Sequence, residues 1–173
     1  CREIKNRTID INRIRYTTEK YDAQEGTEYF ISAEYENPIE NKPYLVGFCR
    51  LRINNNEVDI NYLPHLKESS IVRELHVYGK MVPSYLSKIL TSNTQHKGIG
   101  TKLMRIAENI TKKNGIYKIS VISGAGVRGF YRNKLGYELE NGYMVKTFYR
   151  ELQLINIIWI SFLGLMLFTY FMI

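Results

Sequence analysis

A chain of 173 residues, 24% charged and 45% hydrophobic with 12 glycines and 4 prolines, has the size and mix of about one globular domain, which excludes collagen-like, low-complexity and many-span membrane architectures. The formal net charge of +7 suits an anionic partner: nucleic acid, a phosphorylated cofactor or a membrane surface. Two cysteines, Cys1 and Cys49, exclude a disulfide framework or a four-cysteine zinc site and fit a reducing compartment.

Residues 1–20 are polar, with Ile4, Ile9, Ile11 and Ile14 interspersed, and read as an extended lead-in with room for one strand. No apolar signal-peptide core is present in them, and the chain opens at Cys1 without an initiator methionine, which leads us to expect a piece of something longer. Residues 26–35 (GTEYFISAEY) and 44–53 (YLVGFCRLRI) predict two strands, paired as a hairpin across the Asn-Pro-Lys turn of 36–42. Residues 54–69 form a polar connection. In 70–79 alternation predicts a strand with Ile71, Arg73, Leu75 and Val77 on one face and Val72, Glu74, His76 and Tyr78 on the other.

Residues 80–94 read as a loop with an apolar patch. Ile99, Leu103, Ile106, Ala107 and Ile110 recur at helical spacing; Lys112 and Lys113 favour the helix's carboxyl end and Gly115 its stop. Residues 117–123 predict a buried strand, 124–137 a turn, short helix and turn, and 138–149 a hairpin with Asn141-Gly142 at its tip. The expected class is α+β, a mixed central sheet with flanking helices.

At the mouth of the predicted helix stands Gln95-His96-Lys97-Gly98-Ile99-Gly100. The first amide groups of a helix lack partners and sit at the positive end of its dipole. Glycine allows close backbone approach, so the segment suits a pyrophosphate. No Gly-Lys-Ser/Thr follows, which rules out a Walker loop, and two glycines fall short of the dinucleotide fingerprint.

Gln95-x-x-Gly98-x-Gly100 matches the Q/R-x-x-G-x-G/A signature of GNAT acetyltransferases, and FYRNKLGYEL (130–139) resembles their F-Y-x-K-x-G-F segment. IVRELHVYG (71–79), KISVISGAGVR (118–128) and GYMVK (142–146) resemble one branch, the acetyltransferase domain of the catalytic subunit of Elongator, which modifies the wobble uridine of tRNA. The resemblance runs from about residue 1 to about residue 148 and implies a GNAT fold. It implies that Lys97, Gly98, Ile99, Gly100 and Thr101 hold the pyrophosphate of acetyl-CoA. Glu74, Leu75, His76 and Val77 would line the pantetheine and acetyl group, mostly through backbone groups. Tyr131 would donate a hydrogen bond to the leaving thiolate. Glu74 and His76 are candidates for a catalytic base or for structural hydrogen bonding.

Two departures stand out. The branch reads Asn-Tyr-Tyr where this chain has Gly129-Phe130-Tyr131, and Asn133 is an added residue ahead of Lys134-Leu135-Gly136-Tyr137. One extra helical residue turns a face by about 100°, which puts the register of Tyr131 in question. By resemblance, a radical S-adenosylmethionine domain with a cysteine-bound iron–sulfur cluster precedes this region; CREI at 1–4 resembles its end, and no C-x-x-x-C-x-x-C is present. The implied partners are tRNA and other Elongator subunits. Lys5, Arg7, Arg13, Arg15, Lys112 and Lys113 are candidate phosphate contacts, or else ordinary solvated charges.

Residues 152–173 carry no charge, and 154–173 form a 20-residue apolar run. At about 1.5 Å per residue it spans about 30 Å, the thickness of a bilayer core. The expectation is a globular domain over 1–150 and a C-terminal transmembrane tail anchor over 152–173. Lys146 and Arg150 ahead of it favour a cytosolic domain on the endoplasmic reticulum or mitochondrial outer membrane. Two alternatives stay open: a stand-alone lysine or protein N-acetyltransferase, and a non-catalytic acetyl-CoA- or RNA-binding module tethered to a membrane.

Overall fold

The computed structural model describes residues 2–3, 11–36, 42–54, 63, 66–78 and 98–148. Strands are β1 (Arg2–Glu3), β2 (Ile14–Ala23), β3 (Gly26–Glu36), β4 (Pro43–Asn54), β5 (Ser70–Val77), β6 (Lys118–Val121), β7 (Glu138–Glu140) and β8 (Tyr143–Thr147). They form one mixed sheet ordered β2-β3-β4-β5-β6-β8-β7, with β1 parallel to β4 off that path. Helix α1 (Ile99–Lys113) joins β5 to β6, which lie parallel as such a crossover requires. The predicted strands at 26–35, 44–53, 70–79 and 117–123, the helix and the 138–149 hairpin are all present. Asn141 and Gly142 both take positive φ, 47° and 88°, at the tip of that hairpin.

The core lies between α1 and one face of the sheet. Ile31, Val46, Leu51, Val72, Leu103, Met104, Ile119 and Met144 are fully buried there. The helix turns further than the apolar spacing indicates. Met104, Glu108 and Thr111 are buried, whereas Ile106 and Ile110 are half-buried. The polar residues are tolerated because each has a partner. The Thr111 hydroxyl donates to the Ala107 carbonyl at 2.9 Å and lies 2.7 Å from the Ser70 hydroxyl.

The predicted alternation of β5 fails at one residue. Leu51 faces Val72 and Arg50 faces Glu74, so Arg73 is an extra residue bulged out of the ladder. A bulge shifts the two-residue period. Val72, Leu75 and Val77 therefore share the core side, while Arg73, Glu74 and His76 lie on the other. There Arg73 meets Glu28, Arg50 and Glu74 approach to 3.9 Å, and His76 stacks on Phe48 with ring centroids 6.0 Å apart.

Glu28 is buried on that second face. Burial alone would raise its carboxyl, but hydrogen bonds from Arg50 (3.0 Å), Tyr21 (3.0 Å) and Arg73, with the Arg73 charge, bring it down to about 2. The carboxylate is thus ionised at neutral pH and ties β2, β3, β4 and β5 together.

Candidate active site

The site arises where two neighbouring strands part. β5 and β6 pair through Ser70/Ile119, Ile71/Ser120 and Val72/Val121, after which β6 ends and β5 continues to Val77. Beyond Val72, no described strand pairs with the β6-facing edge of β5. That leaves backbone donors and acceptors available to an extended ligand. Gly47 makes the other edge possible: a Cβ there would stand 2.8 Å from the His76 carbonyl oxygen, so β4 can approach β5 at this level only without a side chain.

Helix α1 opens at the level of the parted strands. Gly98 precedes it with φ +95° and open space about its Cα, and its carbonyl accepts from Lys102 at 2.8 Å. The amides of Ile99, Gly100 and Thr101 come before the first intrahelical donor and have no carbonyl one turn back. Gly100 faces the strand: a Cβ there would lie 3.4 Å from Phe130 Cζ, 3.6 Å from Val77 Cγ2 and 3.9 Å from Leu75 Cδ2. Phe130, Val77 and Leu75 thus pack against Gly100, where the helix mouth meets the end of β5.

Tyr131 stands behind Phe130, with ring centroids 5.2 Å apart. It is 4% exposed, and its phenol is pushed up to about 12, mainly by burial and further by the neighbouring Cys49 thiol. Cys49, fully buried, is itself raised to about 12 by burial. The Tyr131 phenol is therefore a proton-bearing donor throughout the neutral range.

The structure brings Leu75, Val77, Gly98, Ile99, Gly100, Thr101 and Tyr131 to one side of β5 around the parted strands. Glu74 and His76 stand on its other side, exposed, sharing a face as expected but not facing Tyr131. Lys97 and Gln95 lie outside the described residues, as do the 80–94 loop and the 152–173 run. Among the described residues no helix is long and apolar enough to cross a membrane. Of the candidate phosphate contacts, Lys5 and Arg7 are outside the described residues, Arg15 pairs with Glu36, and the Lys112 ammonium sits 4.6 Å from the Phe148 ring centroid.

Asn133, which the resemblance marks as an added residue, falls in a π-helical turn, Tyr131–Leu135, that follows the short helix α2 (Arg128–Phe130). A π turn can take up one extra residue locally, and the helical stretch ends with it, at Gly136 with φ +72°. Sequence reasoning missed the groups that hydrogen-bond beside this turn: Glu108, Tyr137 and Lys146. They are 29 and 38 residues apart, and no local pattern links them.

Residues 2–137 match the family model described as "Acetyltransferase (GNAT) family". The chain is 41% identical over 160 residues to Elongator complex protein 3 of Danio rerio, and 40% identical over 156 residues to that of Saccharomyces cerevisiae. These alignments cover 86% and 84% of this chain but 27% of each relative, so the chain spans about a quarter of their length. An Elp3 structure from the archaeon Methanocaldococcus infernus superimposes with a TM-score of 0.59 at 37% identity, covering 80% of this chain and 31% of that one.

Proposed function

The chain belongs to the GNAT acetyltransferase family, and from that premise we propose that it is the acetyl-CoA-using domain of an Elongator-type enzyme acting on the wobble uridine of tRNA. The observation that carries the reading is the parting of β5 and β6 beside the glycine-opened mouth of α1, in a chain about 40% identical to Elongator complex protein 3. Acetyl-CoA supplies a thioester whose carbonyl is attacked and whose thiolate departs. In this reading the amides of Ile99, Gly100 and Thr101 bind the pyrophosphate, with Lys97 adding charge. The free edge of β5, from Glu74 to Val77, holds the pantetheine by backbone hydrogen bonds. The Tyr131 phenol donates to the departing thiolate. Glu74 and His76 reach an acceptor from the opposite side of the strand, either as base or by orienting water.

The iron–sulfur cluster and S-adenosylmethionine of such an enzyme belong, in this proposal, to the length of the relatives that this chain does not span. Among the described residues no group of three His, Cys, Asp or Glu could hold a metal ion, and the chain has two cysteines. tRNA and the other Elongator subunits are the proposed partners. The test is the release of free coenzyme A from acetyl-CoA, resolved by chromatography, with bulk tRNA or with a lysine-bearing peptide. Release that rises with tRNA is the expected result. Acetylation of the peptide with no tRNA effect would favour a stand-alone lysine acetyltransferase, and absence of any turnover a non-catalytic module.

The domain boundaries, residues 1–150 and a tail over 152–173, are part of the same proposal. The charge-free run at 154–173 supports a membrane-spanning anchor that holds the domain on the cytosolic face of the endoplasmic reticulum or mitochondrial outer membrane. The full chain should then resist carbonate extraction from membranes. Leu163→Arg with Leu165→Arg, costing about 2.5–3.5 kcal/mol each at mid-span, should release it. Extraction of the unaltered chain by carbonate would refute the anchor.

A further inference from the structure

Three groups meet beside the π turn. The Lys146 ammonium lies 3.0 Å from Glu108 Oε1 and donates to the Leu135 carbonyl at 2.8 Å. The Tyr137 hydroxyl donates to the same Glu108 oxygen at 3.1 Å. Tyr137 in turn touches Tyr131 twice. Its backbone amide donates to the Tyr131 carbonyl at 3.1 Å, and the two rings pack edge-on with centroids 5.9 Å apart.

The chain of contacts runs without a gap from helix α1 and strand β8 to Tyr131. Glu108 is 3% exposed, an ionisable group that the proposed chemistry does not use. A buried carboxylate is retained at a desolvation cost unless it is fully paired, and here its two close partners are the two residues that fix the ends of the π turn. Leu135 is capped by Lys146, and Gly136, at φ +72°, turns the backbone so that Tyr137 can reach back to Tyr131. Asn133 is itself exposed, in the middle of the turn, where an added residue disturbs neither end.

We infer that Lys146, Glu108 and Tyr137 are positioning residues: they clamp the π turn on both sides of Asn133 and thereby fix Tyr131 where it packs against Phe130 and beside Cys49. The inference rests on the proposed role of Tyr131 as the donor to the thiolate. It assigns work to residues on α1 and β8 that touch neither acetyl-CoA nor an acceptor.

The test removes the clamp without leaving a lone buried charge. Glu108→Gln with Lys146→Met keeps an acceptor for the Tyr137 hydroxyl but uncaps Leu135. In the full chain we expect coenzyme A release to fall about 10- to 100-fold in kcat, with KM for acetyl-CoA unchanged, as for a catalytic group displaced by about 1 Å. In a Tyr131→Phe background the same pair should cause no further fall, since the clamp acts through the hydroxyl already removed. A second variant guards against misfolding of the first. Deletion of Asn133 should relax the π turn to an α turn between fixed ends and leave kcat within about threefold. Unchanged kcat in the double variant, an equal fall in the Tyr131→Phe background, or collapse of kcat on deleting Asn133 would each overturn the clamp. If Tyr131→Phe alone is silent, the role of Tyr131 is what has failed, and the clamp has nothing to position.

Discussion

Tyr131→Phe should slow acetyl-CoA turnover about 10²–10³-fold, about 3–4 kcal/mol of transition-state stabilisation, while acetyl-CoA affinity changes little. The substitution removes one hydroxyl and almost no volume, so the ring keeps its edge-on contacts with Phe130 and Tyr137. The direction follows from the protonation state. Burial and the Cys49 thiol hold the phenol at about 12, above its usual 10.0, so it carries its proton at neutral pH and can donate when a thiolate forms. A donor whose charge does not change between about pH 6 and pH 9 gives a loss that is flat over that range. Steady-state release of coenzyme A across that range measures both features. Turnover equal to that of the unaltered protein would make Tyr131 a packing residue.

Gly100→Arg should abolish measurable acetyl-CoA binding, a loss of at least about 100-fold, because an arginine side chain at the helix mouth would crowd the amides proposed to hold the pyrophosphate. Even a Cβ at Gly100 would touch Phe130, Val77 and Leu75 at 3.4–3.9 Å, so the remaining atoms of arginine must project away from them over the helix mouth. The core should tolerate the change, since Gly100 is half-buried at the helix mouth and the buried face of α1 runs through Ile99, Leu103 and Met104. Titration calorimetry with acetyl-CoA reads the loss, and a thermal melt separates it from unfolding. Unchanged affinity would place the pyrophosphate elsewhere.

The fold was legible where its signals are local. Strand-forming runs either side of the 36–42 turn marked β3 and β4, alternation marked β5, Asn141-Gly142 marked the β7–β8 hairpin, and Gly98 with the apolar spacing from Ile99 marked α1. The glycines at the helix mouth pointed to a candidate anion site because a helix amino terminus needs no distant residue to attract a phosphate. What stayed hidden depends on contacts between segments far apart in the chain. The Arg73 bulge is set by how β5 lies on β4, and it moved Leu75 to the opposite side from Ile71 and Arg73. The buried side of α1 includes Glu108 because Tyr137, just ahead of the last hairpin, and Lys146, on its second strand, arrive to satisfy it. The effect of Asn133 on Tyr131 likewise could not be read from spacing, since an α-helix and a π turn place the next residue differently.

A structure of the full chain soaked or grown with acetyl-CoA tests the central claim most directly. The expected result is pyrophosphate oxygens on the amides of Ile99, Gly100 and Thr101, pantetheine along the free edge of β5, and the thioester sulfur within hydrogen-bond reach of the Tyr131 hydroxyl. A thioester bound away from β5, or a sulfur with Tyr131 turned from it, would contradict the account.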